Sequence, residues 1–149
     1  MGRRYAVDGQ GTNTASTSLL GLAGTAAIRT RLYDIIVGSD ATPADNAAEY
    51  VIQRFTADGS GTLTPTPQAL DSGDPAAAAT SIEDHTAEPT YTANAIMLQW
   101  AQNQRATFRW VAAPNGEIVS PASTNGIALQ VITVAGSAIN TNVCFHYEE

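Results

Sequence analysis

The sequence predicts an all-β fold, a two-sheet jelly-roll-like β-sandwich with one or two very short helices. Three observations lead there. Apolar and polar residues alternate with period two in several separate stretches, the pattern of half-buried antiparallel strands. Turn chemistry punctuates those stretches at Asp58–Gly61, Pro114-Asn115-Gly116, Asn125-Gly126 and Gly136-Ser137, where proline fixes φ and glycine or asparagine tolerates left-handed backbone. The strands number about eight, are unevenly connected and show no internal repeat, which suits a rolled two-sheet sandwich.

Arg3–Asp8 reads as a first strand, with Tyr5 and Val7 on one face. Gly9–Ser18 (GQGTNTASTS) is small and polar, too poor in apolar residues to fold alone. Residues 1–18 are therefore expected to form a short strand and a flexible arm, ahead of a single sandwich domain over 19–149. Such an arm is either a loop or a segment that orders on a neighbouring subunit. Ala27–Val37 reads as a long strand, with Ile28, Leu32 and Ile36 on one face and Tyr33, Ile35 and Val37 on the other. Thr42-Pro43-Ala44-Asp45 and Asp74-Pro75 followed by four alanines each place a capping side chain before a proline. Both predict a short helix. Glu49–Thr56 alternates again. In Thr62–Leu70, Pro65 and Pro67 forbid a central strand and confine the segment to an edge. Ser81–Glu88 is polar, and the HTAEP segment, His85–Pro89, reads as a polar loop.

In Ala93–Trp100, Asn94, Ile96, Leu98 and Trp100 share a face. In Arg105–Ala112, Ala106, Phe108, Trp110 and Ala112 oppose Arg105, Thr107, Arg109 and Val111. Both tryptophans fall here, so this region is expected at the centre of the core, with Trp110 buried. Gly126–Ala135 and Ile139–Tyr147 complete the strands. The latter presents Ile139, Thr141, Val143, Phe145 and Tyr147 on one face, and Asn140, Asn142, Cys144 and His146 on the other.

The 149 residues suit one domain. Hydrophobic residues make up 44%, but charged ones only 14%, so Thr, Ser, Asn, Gln and Gly must cover much of the surface. Such a surface suits a protein packed against others and is a liability for a free monomer. Seven basic residues, all arginine, face fourteen acidic ones for a net charge of −7. No basic stripe exists to neutralise phosphates, which argues against direct nucleic-acid binding. No apolar run reaches the ~18 residues of a membrane span. The N-terminal arginines precede no apolar stretch of the kind a signal peptide needs. One cysteine, Cys144, excludes an intramolecular disulfide.

The residue inventory gives little for catalysis. Two histidines, His85 and His146, cannot build a three-histidine metal centre of the cupin kind. His85 with Asp84 and Glu88 has the donor types for a divalent cation, but a histidine bonded to a carboxylate explains the segment as well. Cys144 and His146 share a strand face two residues apart, where side chains diverge, and no third orienting group is evident. Most aspartates sit in turns or at helix starts, which capping explains. No GxSxG, P-loop or GxGxxG phrase occurs. No cofactor is expected. The remaining candidates are arginines, the basic residue best suited to interfaces. Arg3, Arg4, Arg29, Arg31, Arg105 and Arg109 are candidate interface residues. Arg105 and Arg109 are expected on one strand face, paired either to acids on the next strand or to those of another subunit.

Three segments, TPADNAAEYVIQR (Thr42–Arg54), HTAEPTYTANAIML (His85–Leu98) and NQRATFRWVAAPNGEIV (Asn103–Val119), resemble small tailed-bacteriophage capsid decoration proteins. They cover under half the chain and are phrases without a known mechanism. The resemblance implies a non-enzymatic virion protein, made in the host cytoplasm, that cements the outer capsid surface by bridging major capsid proteins. It also implies a homo-oligomer, with a trimer favoured over a dimer. The alternative from another class is a carbohydrate- or receptor-binding sandwich of a phage tail or fibre, where exposed aromatics stack on sugars.

Overall fold

The computed structural model describes residues 2–40 and 42–149. Their strands are β1 (Arg4–Thr12), β2 (Ser18–Ala23), β3 (Arg31–Ser39), β4 (Ala47–Ala57), β5 (Ser60–Leu63), β6 (Gln68–Ala69), β7 (Thr80–Ala87), β8 (Thr90–Asn103), β9 (Phe108–Val111), β10 (Ile118–Val119), β11 (Gly126–Val134) and β12 (Asn140–Glu148). All pairings are antiparallel, in two sheets. One runs β10-β3-β12-β1-β6, with β9 also on β3; the other runs β5-β7-β2-β11-β4-β8.

The pairing is nested. β1 pairs with β12, β2 with β11, β3 with β9 and β10, and β4 with β8. Successive pairs fall in alternate sheets, so the chain is one long hairpin rolled into a sandwich, the jelly-roll arrangement. An insert at the hairpin's tip departs from that plan. β7 adds to the free edge of β2, β5 adds to β7, and β6 adds to β1. The insert thus covers the same lateral edge of both sheets, where an open ladder would invite foreign strands.

The core fills the space between the sheets. Tyr5, Val7, Leu32, Ile35, Val37, Val143, Phe145 and Tyr147 face Leu20, Leu22, Tyr50, Ile52, Ile127, Leu129 and Val131, all buried. β12 alternates as its sequence predicts, with Thr141, Val143, Phe145 and Tyr147 inward. A smaller cluster of Ala23, Phe55 and Ala128, flanked by Tyr91, packs on the opposite face of the second sheet. It needs Gly126, because a Cβ there would lie 2.4 Å from the Phe55 ring and 2.2 Å from the Leu22 carbonyl.

Several expectations are corrected. No helix forms among the described residues. The Asp74-Pro75 start fails because the Ala78 and Ala79 amides donate to the Glu149 carboxylate, 70 residues away or more, instead of to helical carbonyls. The other candidate, beginning at Thr42, is followed at Ala47 by the ladder of β4, too soon for a helix to nucleate. Residues 9–18 are not a flexible arm. Gly9–Thr12 pair with β12, and Asn13 is fully buried, its side chain bonded to Tyr50 and Ile139.

The tryptophan region lies at the sandwich's margin, not its centre. β8 is an edge strand, and β9 flanks β3. Trp100 and Trp110 are partly buried against the core rim. Trp100 stacks between Tyr50, at 5.5 Å, and Phe108, at 4.2 Å. A register shift at Ile52/Gln53 breaks the alternation of β8. Leu98 and Trp100 turn inward beyond it, while Ile96 is left exposed. A similar shift at His146/Tyr147 makes Tyr33 the extra residue of β3, so Leu32 and Ile35 both face the core. The long strand predicted from Ala27 begins only at Arg31.

Candidate functional site

The six candidate arginines are all on the surface, but they do not form one patch. Arg3 pairs with Asp74 at 3.6 Å and Arg4 with Glu148 at 3.7 Å. Such exposed pairs contribute little. Arg29 donates to the Ser120 carbonyl, which ties the β2–β3 connection to the residue after β10. Arg4 lies over the Tyr33 ring, 5.4 Å from its centroid, and with Arg31, Tyr33, Glu117 and Glu148 lines a concavity of about 240 Å³. Arg105 sits in the turn before β9, not on a strand face with Arg109, and pairs with Asp45 at 3.0 Å.

Arg109 belongs to a better-built group. Its guanidinium forks onto Asp34 of β3, with Nε 3.0 Å from Oδ1 and an Nη 2.6 Å from Oδ2. This is the bidentate geometry that arginine favours with carboxylates. Of the two pairings expected for Arg109, the acid on the next strand is the one observed. Asp34 is nearly buried. The Arg109 hydrogen bonds hold its carboxyl below the usual aspartate range, against the opposing effect of burial.

Asp34 also meets His146, whose Nδ1 lies 3.2 Å from Oδ2; the ring's Nε2 faces Cys144 Sγ at 3.7 Å. Cys144, His146 and Asp34 therefore make a thiol–imidazole–carboxylate row. The orienting carboxylate was not visible in the sequence, because it sits 112 residues away on the paired strand. The row resembles a nucleophile, base and orienter in order. Its electrostatics oppose that use. Burial pushes the Cys144 thiol up, and Asp8 and Asp34 push it further, so the inert thiol is favoured. Cys144 lines a shallow concavity of about 560 Å³ with Asp8, Gln10, Asn142 and Thr107 among its walls. Together with Arg109, the row joins β12, β3 and β9 on the outer face of their sheet.

His85 lies on β7, not in a loop, and its side chain is fully buried. Nδ1 meets the Ser18 carbonyl at 3.1 Å, and Nε2 meets Asp58 Oδ1 at 3.0 Å. The proposed ligand set with Asp84 and Glu88 does not assemble. Asp84 accepts from Thr62, and Glu88 accepts from the amide and hydroxyl of Ser18. The Ser18 hydroxyl also meets Tyr91, whose phenol is pushed above its ordinary range by burial. Among the described residues no cluster of three or more His, Cys, Asp or Glu is arranged to hold a metal ion. These groups fasten the ends of the insert across β2.

Two lateral edges remain. On one side β8 ends its sheet with fourteen residues that carry no charge. On the other, β5 and β6 end their sheets as short strands. A scan of protein-family models finds no match to this chain, and searches of curated proteins and of solved structures find none either.

Proposed function

We propose that this chain is a non-enzymatic structural protein that decorates and cements the outer surface of a tailed-phage capsid. It does so by bridging major capsid proteins, as a homo-oligomer with a trimer favoured. The observation that carries this reading is where the three resembling segments lie. Thr42–Arg54 supplies most of β4, His85–Leu98 most of β8, and Asn103–Val119 the turn, β9 and β10. β4 and β8 are neighbours, and β9 and β10 flank β3, so the segments gather toward one lateral edge of the sandwich. That edge is weakly charged and open to pairing, which suits repeated contacts on a lattice. Many modest contacts add through multivalency and clamp a shell that no single contact could hold.

Quantitative mass spectrometry of virions whose genome encodes this chain tests the reading. The expected result is a copy number of the same order as that of the major capsid protein. Absence, or a few copies per particle, overturns cementing. The second reading, a carbohydrate- or receptor-binding module, now rests on the concavity around Tyr33, where an aromatic ring stands beside fork donors and carboxylates. Trp100 and Trp110 do not support it, because both turn toward the fold. Glycan-array binding that is lost in Tyr33→Ala would favour it.

A further inference from the structure

The ladder between β2 and β7 ends early. It runs from Ala23 opposite Thr80 to Leu20 opposite Glu83 and goes no further. Asp84, the next residue of β7, has a φ of 46°, in the left-handed region, which takes the strand off its extended path. Beyond it the His85 ring stands in for the ladder. Nδ1 lies 3.1 Å from the Ser18 carbonyl at the start of β2, and Nε2 lies 3.0 Å from Oδ1 of Asp58, where the insert begins. The ring and this carboxylate pack over Gly21. A Cβ there would stand 3.2 Å from Cε1 of His85 and 3.0 Å from Oδ1 of Asp58. β5 pairs with the same stretch, Gly61 opposite His85 and Ser60 opposite Ala87.

Both partners of the ring are acceptors. A backbone carbonyl and a carboxylate offer only lone pairs, and a neutral imidazole has one N–H. With a single ring proton, one nitrogen would therefore set its lone pair against an oxygen. The side chain is fully buried, so solvent does not relieve that contact. Asp58 Oδ1 also accepts from the Gly59 amide, which suits an ionised carboxylate and places the extra proton on the ring. We infer that His85 is held as an imidazolium in the folded chain, and that its second proton latches the insert to β2, so that β5 and the far end of β7 open as pH rises. The groups around the ring favour the cation. Asp58 faces it directly, while Glu88 and Tyr91 face it across Ser18, both bonded to the Ser18 hydroxyl. Burial keeps the Tyr91 phenol protonated. On its own strand, Glu83 accepts from the Gln10 amide and Asp84 from the Thr62 hydroxyl. β2 and β5 carry no titratable side chain. A histidine freed by opening loses its second proton above about pH 6.5. Opening then releases a proton, so the latch is complete below that pH and weakens as pH rises beyond it.

Nitrogen NMR of the histidine rings in the purified full chain tests the charge, with His146→Gln removing the other ring for assignment. Near neutral pH the His85 ring should carry a proton on both nitrogens; one bare nitrogen would overturn the inference. Native-state hydrogen exchange tests the latch. Between about pH 6.5 and about pH 9, amides of residues 58–63 and 85–88 should open more often by up to about tenfold per pH unit beyond their intrinsic exchange, the slope of one released proton. Amides of residues 80–83, held by the ladder, should show no such excess. A latch segment without the extra slope, or an equal slope in both segments, would overturn it. Asp58→Asn separates the proton from the packing. Its amide can donate to a bare Nε2 while Nδ1 still donates to Ser18, so a neutral ring fits. This variant, its amide confirmed by intact mass, should keep the segment protected and lose the excess slope. Retention of the wild-type slope would show that the opening proton is not that of His85. The wild-type ring and exchange data decide the case if the variant does not fold.

Discussion

Asn13→Ala is the sharpest probe of how the N-terminal segment is held. Asn13 is polar, fully buried and flanked by small polar residues that look like a loop in sequence. Its Oδ1 accepts from the Ile139 amide at 2.6 Å, and its Nδ2 donates to the Tyr50 hydroxyl at 3.3 Å. Alanine removes both bonds, each contributing about 1 kcal/mol, and leaves a partly buried amide unpaired at a further cost of roughly 1 kcal/mol. The sum is about 3 kcal/mol, a sizeable part of the stability of a domain this size. With a urea slope of about 2 kcal/mol per M, the unfolding midpoint should fall by roughly 1.5 M. Tyr50→Phe removes only the weaker partner and should cost about 1 kcal/mol. In the double variant the two costs should not add, because they share a bond. Urea unfolding followed by tryptophan fluorescence measures all three. A midpoint that moves by less than about 0.3 M in Asn13→Ala would mean that residues 9–18 are not anchored, and the arm expected from the sequence would return.

Two further predictions follow from the outer face and the rim. Because Arg109 holds the folded Asp34 carboxyl below its unfolded value, that pair's stabilisation is present above the titration of a free aspartate and is lost as pH falls through the folded value. Arg109→Ala should therefore move the acid-unfolding midpoint to higher pH, as read by circular dichroism; an unchanged midpoint would reject the coupling. Phe145 is central and fully buried, whereas Trp110 sits half-buried on a flanking strand. Phe145→Ala should cost about 3–5 kcal/mol and Trp110→Ala clearly less, with equal falls in melting temperature counting against this placement.

What the sequence disclosed depended on whether burial was one-sided. β12 was legible because one face of it is apolar and the other is not. β2, Ser18–Ala23, was missed because it is buried on both faces and shows no alternation. β7 shows no strand pattern in the sequence because its buried residues are polar. Ser81, Glu83 and His85 are buried against the Pro65 carbonyl, the Gln10 amide, and Ser18 with Asp58, partners that local pattern cannot supply. In β8 the alternation was real but a bulge reversed its sense midway, so Ile96 ended outside. The Cys144–His146 pair was visible and Asp34 was not, since strand register alone brings them together.

β12 lies between β1 and β3, in the middle of its sheet. Its partners come from the first forty residues, and its own residues are 140–148. β1 with β6, and β3 with β9 and β10, can pair earlier, but these two parts of the sheet cannot join before residues 140–148 arrive. Until residues 140–148 are made, β1 and β3 lack the strand that lies between them. Folding dominated by such distant pairings is slow, and uncovered strands are prone to aggregate. Loss of the last ten residues should accordingly behave as loss of the fold, not as a trimmed tail. Competence to dock would then be conferred late and all at once.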